Sequence, residues 1–172
     1  YGGIYQDADS VCLEPFDDTF LSKPAFAAFE NEIVREGLVA VGTMGFPPKH
    51  PLCRAAIDWI LTHDTCPTTC GLRAWATTGP VLLTSLLNTG NFPEFSVFPS
   101  HCFIPHHFTG VKYEGHKKVY CYQEWGSTKQ NYDIMNQIEI PLEFREPTEW
   151  VSILVSSYNT KHLYIHECLE SI

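Results

Sequence analysis

The sequence lacks any run of apolar residues approaching the roughly 20 that a transmembrane helix needs, and no signal peptide is recognisable in it. Basic residues are also few, because 11 Lys and Arg stand against 20 Asp and Glu and give a formal net charge of −9 at pH 7. Nucleic acids are bound by clusters of Lys and Arg. We therefore expect no membrane segment in this chain and no nucleic acid among its partners.

Several sequence motifs of common enzyme classes are absent as well. The chain contains no Gly-x-Ser-x-Gly elbow, no Walker phosphate loop and no Gly-x-Gly-x-x-Gly fingerprint. Serine hydrolases, P-loop nucleotidases and dinucleotide-binding enzymes therefore have no support in the sequence.

The cysteines do not form the pattern of a disulfide framework. There are seven, an odd number, at irregular spacings. Free thiols are the expectation, and they favour the cytoplasm or the cytoplasmic side of a membrane. A zinc site built from Cys66, Cys70 and the pairs His101-Cys102 and His106-His107 is an alternative, although the Cys-x-x-Cys spacing of many zinc sites is missing.

The composition is that of a folded domain. Hydrophobic residues make up 44% of the chain and charged residues 18%, which is ordinary globular usage and not that of a disordered chain. A chain of 172 residues can bury one sizeable core.

The first residues place two carboxylates after a short apolar segment. Ile4 and Tyr5 have the character of a strand end, and Asp7 and Asp9 follow at a spacing of two. In an extended segment side chains alternate, so both aspartates would face one ion. Oxygen ligands suit Mg²⁺ or Mn²⁺. Two solvated aspartates in a turn remain the alternative.

The segment from Tyr1 to Asp9, followed by Leu13-Glu14-Pro15-Phe16, resembles the signature of family 32 glycosyltransferases, whose sugar-binding region contains a DXD motif. Further resemblances follow in the family's order: Phe29-Glu30-Asn31, His50-Pro51-Leu52, Thr78-Gly79-Pro80 with the apolar residues 81–83, and the closing region Tyr120 to Ser127. Together they cover residues 1–130.

The resemblance implies an α/β fold of the GT-A type and transfer of a hexose from a UDP- or GDP-sugar to a hydroxyl of a glycan, lipid or protein. It also implies Mn²⁺ or Mg²⁺ as cofactor and retention of the anomeric configuration. Asp9 would bind the ion, and Asp7 would contact ribose or bound water. The implied sites are these: catalytic Asp7, Asp9 and Glu30; donor-binding Gly2, Gly3, Asp7, Thr78, Gly79, Trp125 and Ser127; metal-binding Asp7, Asp9 and Glu124.

The closing region departs from the family pattern. Residues 122–128 read Tyr-Gln-Glu-Trp-Gly-Ser-Thr and lack the family's histidine and final tryptophan. We expect Glu124 to supply a carboxylate in place of the histidine, with Trp125 packed beneath it, and Ser127 to supply a hydroxyl. A Glu124 that is only a surface residue is the alternative.

Two other candidates each have a purely structural interpretation. Glu30 follows an apolar run and would hydrogen-bond a sugar hydroxyl on the acceptor side, or it is a solvated glutamate at a strand end. Thr78 and Gly79 would open a helix whose N–H groups receive an anion or a hydroxyl, or they only cap that helix.

The pattern of apolar residues, glycines and prolines predicts the main elements. Strands are predicted over 11–13, 25–29, 38–42, 95–98 and 119–122, with a polar stretch over 30–37. Helices are predicted over 18–21, capped by Asp17 and Asp18, over 51–62, and from 80 to about 87 with Thr77 or Thr78 as N-cap. Residues 63–76 are predicted as a loop.

The resemblance divides the chain at about residue 147. Residues 1–146 match part of a DXD glycosyltransferase domain, whose first βαβ unit would lie upstream and hold the nucleotide. Residues 147–172 match a linker and the first strand and helix of a family 2 glycosyltransferase, through Trp150 to Ser156 and Tyr158-Asn159. We therefore expect residues 1–172 alone to lack transferase activity and to bind sugar nucleotides poorly.

Two other functional classes stay open. One is a non-catalytic carbohydrate-binding or scaffold domain, which the altered closing region favours. The other is a metal-dependent phosphohydrolase, which would normally need a denser cluster of carboxylates or histidines.

Overall fold

The computed structural model describes residues 2–116 and 118–131. The predicted linker and the predicted start of a second domain, 147–172, lie outside the described residues. Within the described part the chain forms strands and helices in one mixed α/β arrangement. The strands are β1 Gly3–Gln6, β2 Ser10–Cys12, β3 Ala25–Asn31, β4 Arg35–Val39, β5 Thr43–Phe46, β6 Phe95–Phe98 and β7 Cys121–Gln123. The helices are α1 Asp18–Leu21, α2 Pro51–Thr62, α3 Pro67–Cys70, α4 Ala74–Thr77, α5 Pro80–Asn88 and α6 Gly126–Lys129.

Five strands form a mixed sheet around β3. β6 pairs with β3 in parallel, from Ala25 opposite Phe95 to Ala28 opposite Phe98. β4 and β5 pair with β3 in antiparallel orientation, and β1 pairs with β5 in the same way. The α/β class is therefore confirmed, with parallel and antiparallel pairs in one sheet.

The sequence of β3 explains its central position. Alternate side chains of a strand point to opposite faces of the sheet. Phe26 and Ala28 belong to one hydrophobic cluster, together with Phe20 and Phe103. Ala27 belongs to the other, with Leu52 of α2 and Leu83 of α5. A strand that is apolar on both faces must be covered on both, and this one is.

A second, two-stranded sheet joins the two ends of the described chain. β2 and β7 are antiparallel, with Ser10 opposite Gln123 and Cys12 opposite Cys121. The short turn between β1 and β2 therefore connects the main sheet to the small one.

The helix predicted over Pro51–Thr62 is confirmed at both ends. Its N-cap is His50, whose Nδ1 accepts a hydrogen bond from the backbone N–H of Leu52, and Pro51 occupies the first turn. The short helix after Asp17 is also confirmed, because the Asp17 carboxylate accepts from the backbone N–H of Thr19.

Other boundaries differ from the prediction. Of the strand predicted over 38–42, only residues 38 and 39 are strand, at the end of β4. Residues 40–42 are a break that the pattern did not indicate, and β5 follows it. The strand predicted over 119–122 begins two residues later, at Cys121. The polar stretch 30–37 shrinks to a turn over residues 32–34, because the Asn31 carboxamide accepts from the N–H groups of Ile33 and Val34.

The region before α5 also corrects the prediction. Residues 63–76 contain α3 and most of α4 and are not simply a loop. Gly79, not Thr77 or Thr78, is the N-cap of α5. Thr78 instead ends α4, where its hydroxyl and its backbone N–H both donate to the carbonyl oxygen of Ala74. Because the Thr78 hydroxyl is already bonded to α4, it does not accept a hydrogen bond from the first N–H groups of α5.

No helix among residues 2–116 and 118–131 is long and apolar enough to cross a membrane.

Candidate functional site

Asp7 and Asp9 lie in the turn between β1 and β2. The backbone N–H of Ser10 donates to the carbonyl oxygen of Asp7 at 2.9 Å, which closes a four-residue turn. The expectation that both aspartates sit in one extended segment is therefore wrong. They are brought near each other by the turn and not by strand alternation.

Asp7 is the more enclosed of the two carboxylates. Its backbone N–H donates to the carbonyl oxygen of Gly42 at 2.8 Å, and its Oδ1 accepts from the Tyr5 hydroxyl at 2.7 Å. Burial raises the pKa of Asp7, the Tyr5 hydrogen bond opposes that shift, and the nearby charge of Asp9 adds to it. When a carboxylate has a raised pKa because of burial and a nearby negative charge, a bound cation stabilises its ionised form.

Asp9 is held by the segment that follows β7. Its Oδ2 accepts from the backbone N–H of Gly126 at 2.8 Å, and its carbonyl oxygen accepts from the N–H of Glu124 at 2.9 Å. Trp125, between those two donors, has φ 61° and ψ 39°. A bulky residue in this left-handed region is uncommon and strained, and such strain concentrates at functional sites.

In the described part of the chain each aspartate uses one carboxylate oxygen in a hydrogen bond: Asp7 uses Oδ1 and Asp9 uses Oδ2. The other oxygen of Asp7, Oδ2, lies beside Gly42, 3.0 Å from the position that a Cβ there would take, and the Gln123 side chain is close to the same position. Two carboxylate oxygens, with phosphate and water completing the shell, suit Mg²⁺ or Mn²⁺. The chemistry of this donor pair thus fits the expected ion.

Glu124 approaches Asp9 through its backbone. Its side chain hydrogen-bonds that of Tyr122, and this bond, after burial, raises the pKa of the Tyr122 hydroxyl. Among residues 2–116 and 118–131 no three His, Cys, Asp or Glu side chains are grouped as ligands of one metal ion. Trp125 packs against His107 and Phe108. The closing region is therefore at the aspartate turn, but without a third carboxylate beside the pair.

Glu30 lies at the end of β3 and is buried, with 5% of its surface exposed. Its Oε1 is 3.1 Å from Arg35 NH1 and 3.1 Å from His107 Nε2. The alternative of a solvated glutamate is therefore wrong. Arg35 is at the start of β4, so the tight turn after β3 is what returns it to Glu30.

The hydrogen bonds of His107 define its tautomer. Its Nδ1 accepts from the backbone N–H of Thr109 at 3.4 Å and lies 2.8 Å from the Thr109 hydroxyl. A neutral imidazole that accepts at Nδ1 carries its proton at Nε2 and donates from there. His107 thus donates to Glu30, and Glu30 accepts at Oε1 from both neighbours.

Aromatic side chains surround the Arg35 guanidinium. Its central carbon is 4.9 Å from the ring centre of Trp75 and 6.0 Å from that of Phe108. The two rings are 43% and 38% exposed. Phe108 in turn contacts Trp125, at 5.3 Å between ring centres. We call Trp75, Phe108 and Trp125, with Arg35 between them, the aromatic surface.

Trp125 connects the aromatic surface to the aspartate turn. Its ring nitrogen donates to the carbonyl oxygen of His106 at 2.9 Å, and its ring centre is 5.2 Å from that of His107. The next residue, Gly126, is the one that donates to Asp9. Two candidates distant in sequence, Asp9 and Glu30, are therefore linked through Trp125 and His107.

Thr78 and Gly79 support the aromatic surface. A side chain on Gly79 would place its Cβ 2.9 Å from the Cα of Trp75, so only glycine permits this approach of α4 to α5. In α5 the Thr84 hydroxyl accepts from the backbone N–H of Val39, which fixes α5 against β4. This packing brings Trp75 of α4 to Arg35 of β4.

The remaining candidates lie at the margins. Gly2 and Gly3 have φ of 93° and 129°, as the predicted tight backbone requires, and the close neighbour of Gly2 is Pro48. Ser127 is exposed in α6, two residues beyond Trp125.

The described residues do not form the alternative zinc site. Their six cysteines are free thiols, and no group of three possible metal ligands occurs among them. Cys121 is buried, and burial raises the pKa of its thiol to about 11. This thiol is therefore neutral and unreactive at physiological pH.

Sequence reasoning did not single out Arg35 or Trp75, and it named His107 only as part of a zinc alternative. The available signals were weak, since Arg35 belongs to a stretch predicted as polar, His107 to a His-His pair and Trp75 to a segment predicted as loop.

Comparison of the chain with models of known protein families, with curated proteins and with solved structures yields no match.

Proposed function

We propose that this protein is a metal-dependent glycosyltransferase of the GT-A type, which transfers a hexose from a UDP- or GDP-sugar to an acceptor hydroxyl. The observation that carries the proposal is the aspartate turn: Asp7 and Asp9 lie at the junction of two sheets, and each carboxylate has one oxygen fixed by a hydrogen bond. The ordered series of family 32 motifs supports the same reading.

In this proposal Asp7 and Asp9 would hold Mn²⁺ or Mg²⁺. The ion would neutralise the charge that develops on the leaving diphosphate. The Gly126 N–H orients the Asp9 carboxylate, and the Tyr5 hydroxyl orients that of Asp7. Gly2, Gly3, Thr78, Gly79, Trp125 and Ser127 remain candidates for the donor side. Glu124, which was expected as a third ligand, is not grouped with the two aspartates among the described residues.

Glu30 belongs to the acceptor side of the proposed site. Arg35 and His107 both engage its Oε1, and within the described residues no group donates to Oε2. That oxygen is therefore the one that would accept a hydrogen bond from an acceptor hydroxyl. The resemblance also implies retention of the anomeric configuration, which product analysis would decide.

The decisive measurement uses the full-length protein. Release of UDP or GDP from a panel of nucleotide hexoses is followed with MnCl₂, with MgCl₂ and with EDTA. We expect turnover with one nucleotide class, and its loss in EDTA. Turnover that persists in EDTA, or a complete lack of turnover with every donor, would contradict the proposal.

A non-catalytic carbohydrate-binding protein is the second candidate. The exposed rings of Trp75 and Phe108 favour it, because sugar-binding surfaces commonly present aromatic faces. This candidate predicts binding of free saccharides with no turnover of any nucleotide sugar. The same panel, combined with saccharide titrations, separates the two functions.

A further inference from the structure

The aromatic surface combines apolar faces with a fixed ion pair. Trp75 and Phe108 are each more than one third exposed, although both are large aromatic residues. Arg35 lies over both rings and is anchored from below by buried Glu30 at 3.1 Å. The ion pair and the two ring contacts therefore hold the guanidinium, and its other N–H groups extend from that position.

Glu30 is itself held by further contacts. Glu30 Oε1 accepts from Arg35 and from His107, and Thr109 fixes the tautomer of His107. A charged donor between two aromatic faces is thus held by a chain of contacts that reaches into the protein. Such preorganised polar groups in an aromatic setting are the usual means by which a site recognises a small polar ligand.

The chemistry of this surface suits a pyranose ring. One face of a hexose presents C–H groups, which are attracted to the negative face of an aromatic ring, and its edge presents hydroxyls. Arg35 is partly exposed and can donate hydrogen bonds to the hydroxyl oxygens, while buried Glu30 holds it in place. An acyl chain would make no use of the ion pair. An anionic group would meet the carboxylate behind the guanidinium.

The position of the surface indicates which sugar it would take. Among the described residues its Trp125 is followed directly by Gly126, whose N–H donates to Asp9, so the surface lies beside the place proposed for the diphosphate. We propose that Trp75, Phe108 and Arg35 of the aromatic surface form the acceptor subsite, and that the acceptor is a saccharide whose pyranose ring stacks on Trp75 or Phe108 and hydrogen-bonds Arg35. This inference rests on the proposed glycosyltransferase function.

The test measures acceptor kinetics in the full-length protein. Methyl hexopyranosides and short oligosaccharides are offered as acceptors at saturating nucleotide sugar, to wild type and to Trp75→Ala, Phe108→Ala and Arg35→Lys. We expect each variant to raise the KM for the saccharide by tenfold or more, and by a larger factor than the KM for the donor. Trp75→Phe keeps an aromatic face and should recover most of the loss.

A matched control is Trp59→Ala. Trp59 is in α2 and stacks on His63, with 4.2 Å between ring centres, outside the aromatic surface. This variant should leave both KM values unchanged. Unchanged acceptor KM in both Trp75→Ala and Phe108→Ala would overturn the subsite, while activity of the wild type would leave the proposed function standing.

Two further arms separate other acceptors. Phospholipid vesicles and a peptide containing Ser and Thr are assayed in parallel. Transfer to either of these that depends on Trp75, without transfer to saccharides, would overturn the inference. If the wild type turns over no donor, the proposed function fails by itself, and NMR titration with methyl hexopyranosides decides the subsite: broadening of the saccharide signals that Trp75→Ala removes would support a sugar-binding surface, and its absence would refute one.

Discussion

Asp9 joins the two halves of the site through opposite ends of one residue. Its carboxylate binds Gly126 and its carbonyl oxygen binds Glu124. Asn at this position keeps an oxygen for the Gly126 N–H but removes the charge. We therefore expect Asp9→Asn to abolish Mn²⁺-dependent transfer and to leave the fold intact, as judged by steady-state kinetics and far-UV circular dichroism.

The control for that change is Asp58→Asn. Asp58 is an exposed aspartate of α2 that pairs with Arg54 one turn earlier, and surface pairs of this kind contribute little to stability. Its substitution should alter neither rate nor metal dependence. An Asp9→Asn protein with the wild-type rate and wild-type response to EDTA would exclude Asp9 as a ligand.

Substitution of Asp7 is expected to raise the stability of the protein, whereas substitution of Asp9 should leave the fold unchanged. Burial, together with the charge of Asp9, raises its pKa above the usual 3.8 in spite of the Tyr5 hydrogen bond. The folded state therefore binds this proton more tightly than the unfolded chain does, and stability falls as pH rises from about 4 through the raised pKa. At pH 7 without metal, Asp7→Asn should unfold at a higher temperature than wild type.

The pH dependence and the metal response check this prediction. As the pH falls through the raised pKa of Asp7, the difference in unfolding temperature should shrink. Mn²⁺ should raise the unfolding temperature of the wild type and have no such effect on Asp7→Asn. A variant that is less stable than wild type at pH 7 would show that the ionised carboxylate stabilises the turn.

For individual residues, the sequence indicated the carboxylates of the candidate site but not their hydrogen-bond partners. Asp7, Asp9 and Glu30 were identifiable because carboxylates directly follow apolar strands. The roles of Arg35 and His107 were not, and His107 was named only as a possible zinc ligand. These partners of Glu30 lie 5 and 77 residues away in the sequence, and only the folded backbone brings both to one oxygen.

Among the elements, the junction of α4 and α5 depends on one missing side chain. The Cβ of an alanine at position 79 would lie 2.9 Å from the Cα of Trp75, a backbone atom that cannot rotate away. Gly79→Ala should therefore lower the free energy of unfolding by about 1–3 kcal/mol, as overpacking does, and displace Trp75 from Arg35. Chemical denaturation and the fluorescence of Trp75 are the measurements.

Ser85→Ala is the matched change for that prediction, because Ser85 is an exposed residue in the same helix. Alanine favours a helix interior, so its stability should equal or slightly exceed that of wild type. Equal stability of Gly79→Ala and Ser85→Ala would mean that α4 moves freely to accommodate the added methyl group.

Element prediction succeeded where local chemistry decides and failed where packing does. Pro51 and the apolar spacing that follows determine α2 without help from the rest of the chain. At α5, two threonines and a glycine all qualify as N-caps, and the choice of Gly79 depends on the contact with Trp75. The break between β4 and β5 likewise follows from pairing with β3 and leaves no mark on hydrophobicity.

For the whole molecule, Phe20 is the residue on which the two sheets converge. It is 0% exposed, and its ring lies 4.6 Å from that of Phe98 in β6 and 4.6 Å from that of Tyr120, which precedes β7. Phe20→Ala should lower the free energy of unfolding by about 3–5 kcal/mol, the usual cost of deleting a buried phenylalanine. Urea denaturation measures the change.

Leu21→Ala, at the next residue, is the control for Phe20→Ala. Leu21 ends the same short helix and is 58% exposed, so its truncation should have almost no effect on stability. Similar losses in both variants would indicate that α1 itself, and not the aromatic packing, is what the substitutions disturb.

The α/β class could be predicted from the sequence, but the connections of the sheet could not. Strands β3 and β6 were both recognisable as apolar runs, yet nothing in either shows that they are parallel neighbours. Such pairing depends on the helices between them covering one face of the sheet, as α2 and α5 do.

The pairing of β2 with β7 has a consequence for folding during synthesis on the ribosome. Ser10 and Gln123, joined by their side chains, are 113 residues apart, so ribosomes adding roughly 5–20 residues per second need on the order of 10 s between the two. Throughout that interval the aspartate turn lacks the hydrogen bonds that Glu124 and Gly126 later donate to Asp9. The turn is thus synthesised well before the residues that fix it in place.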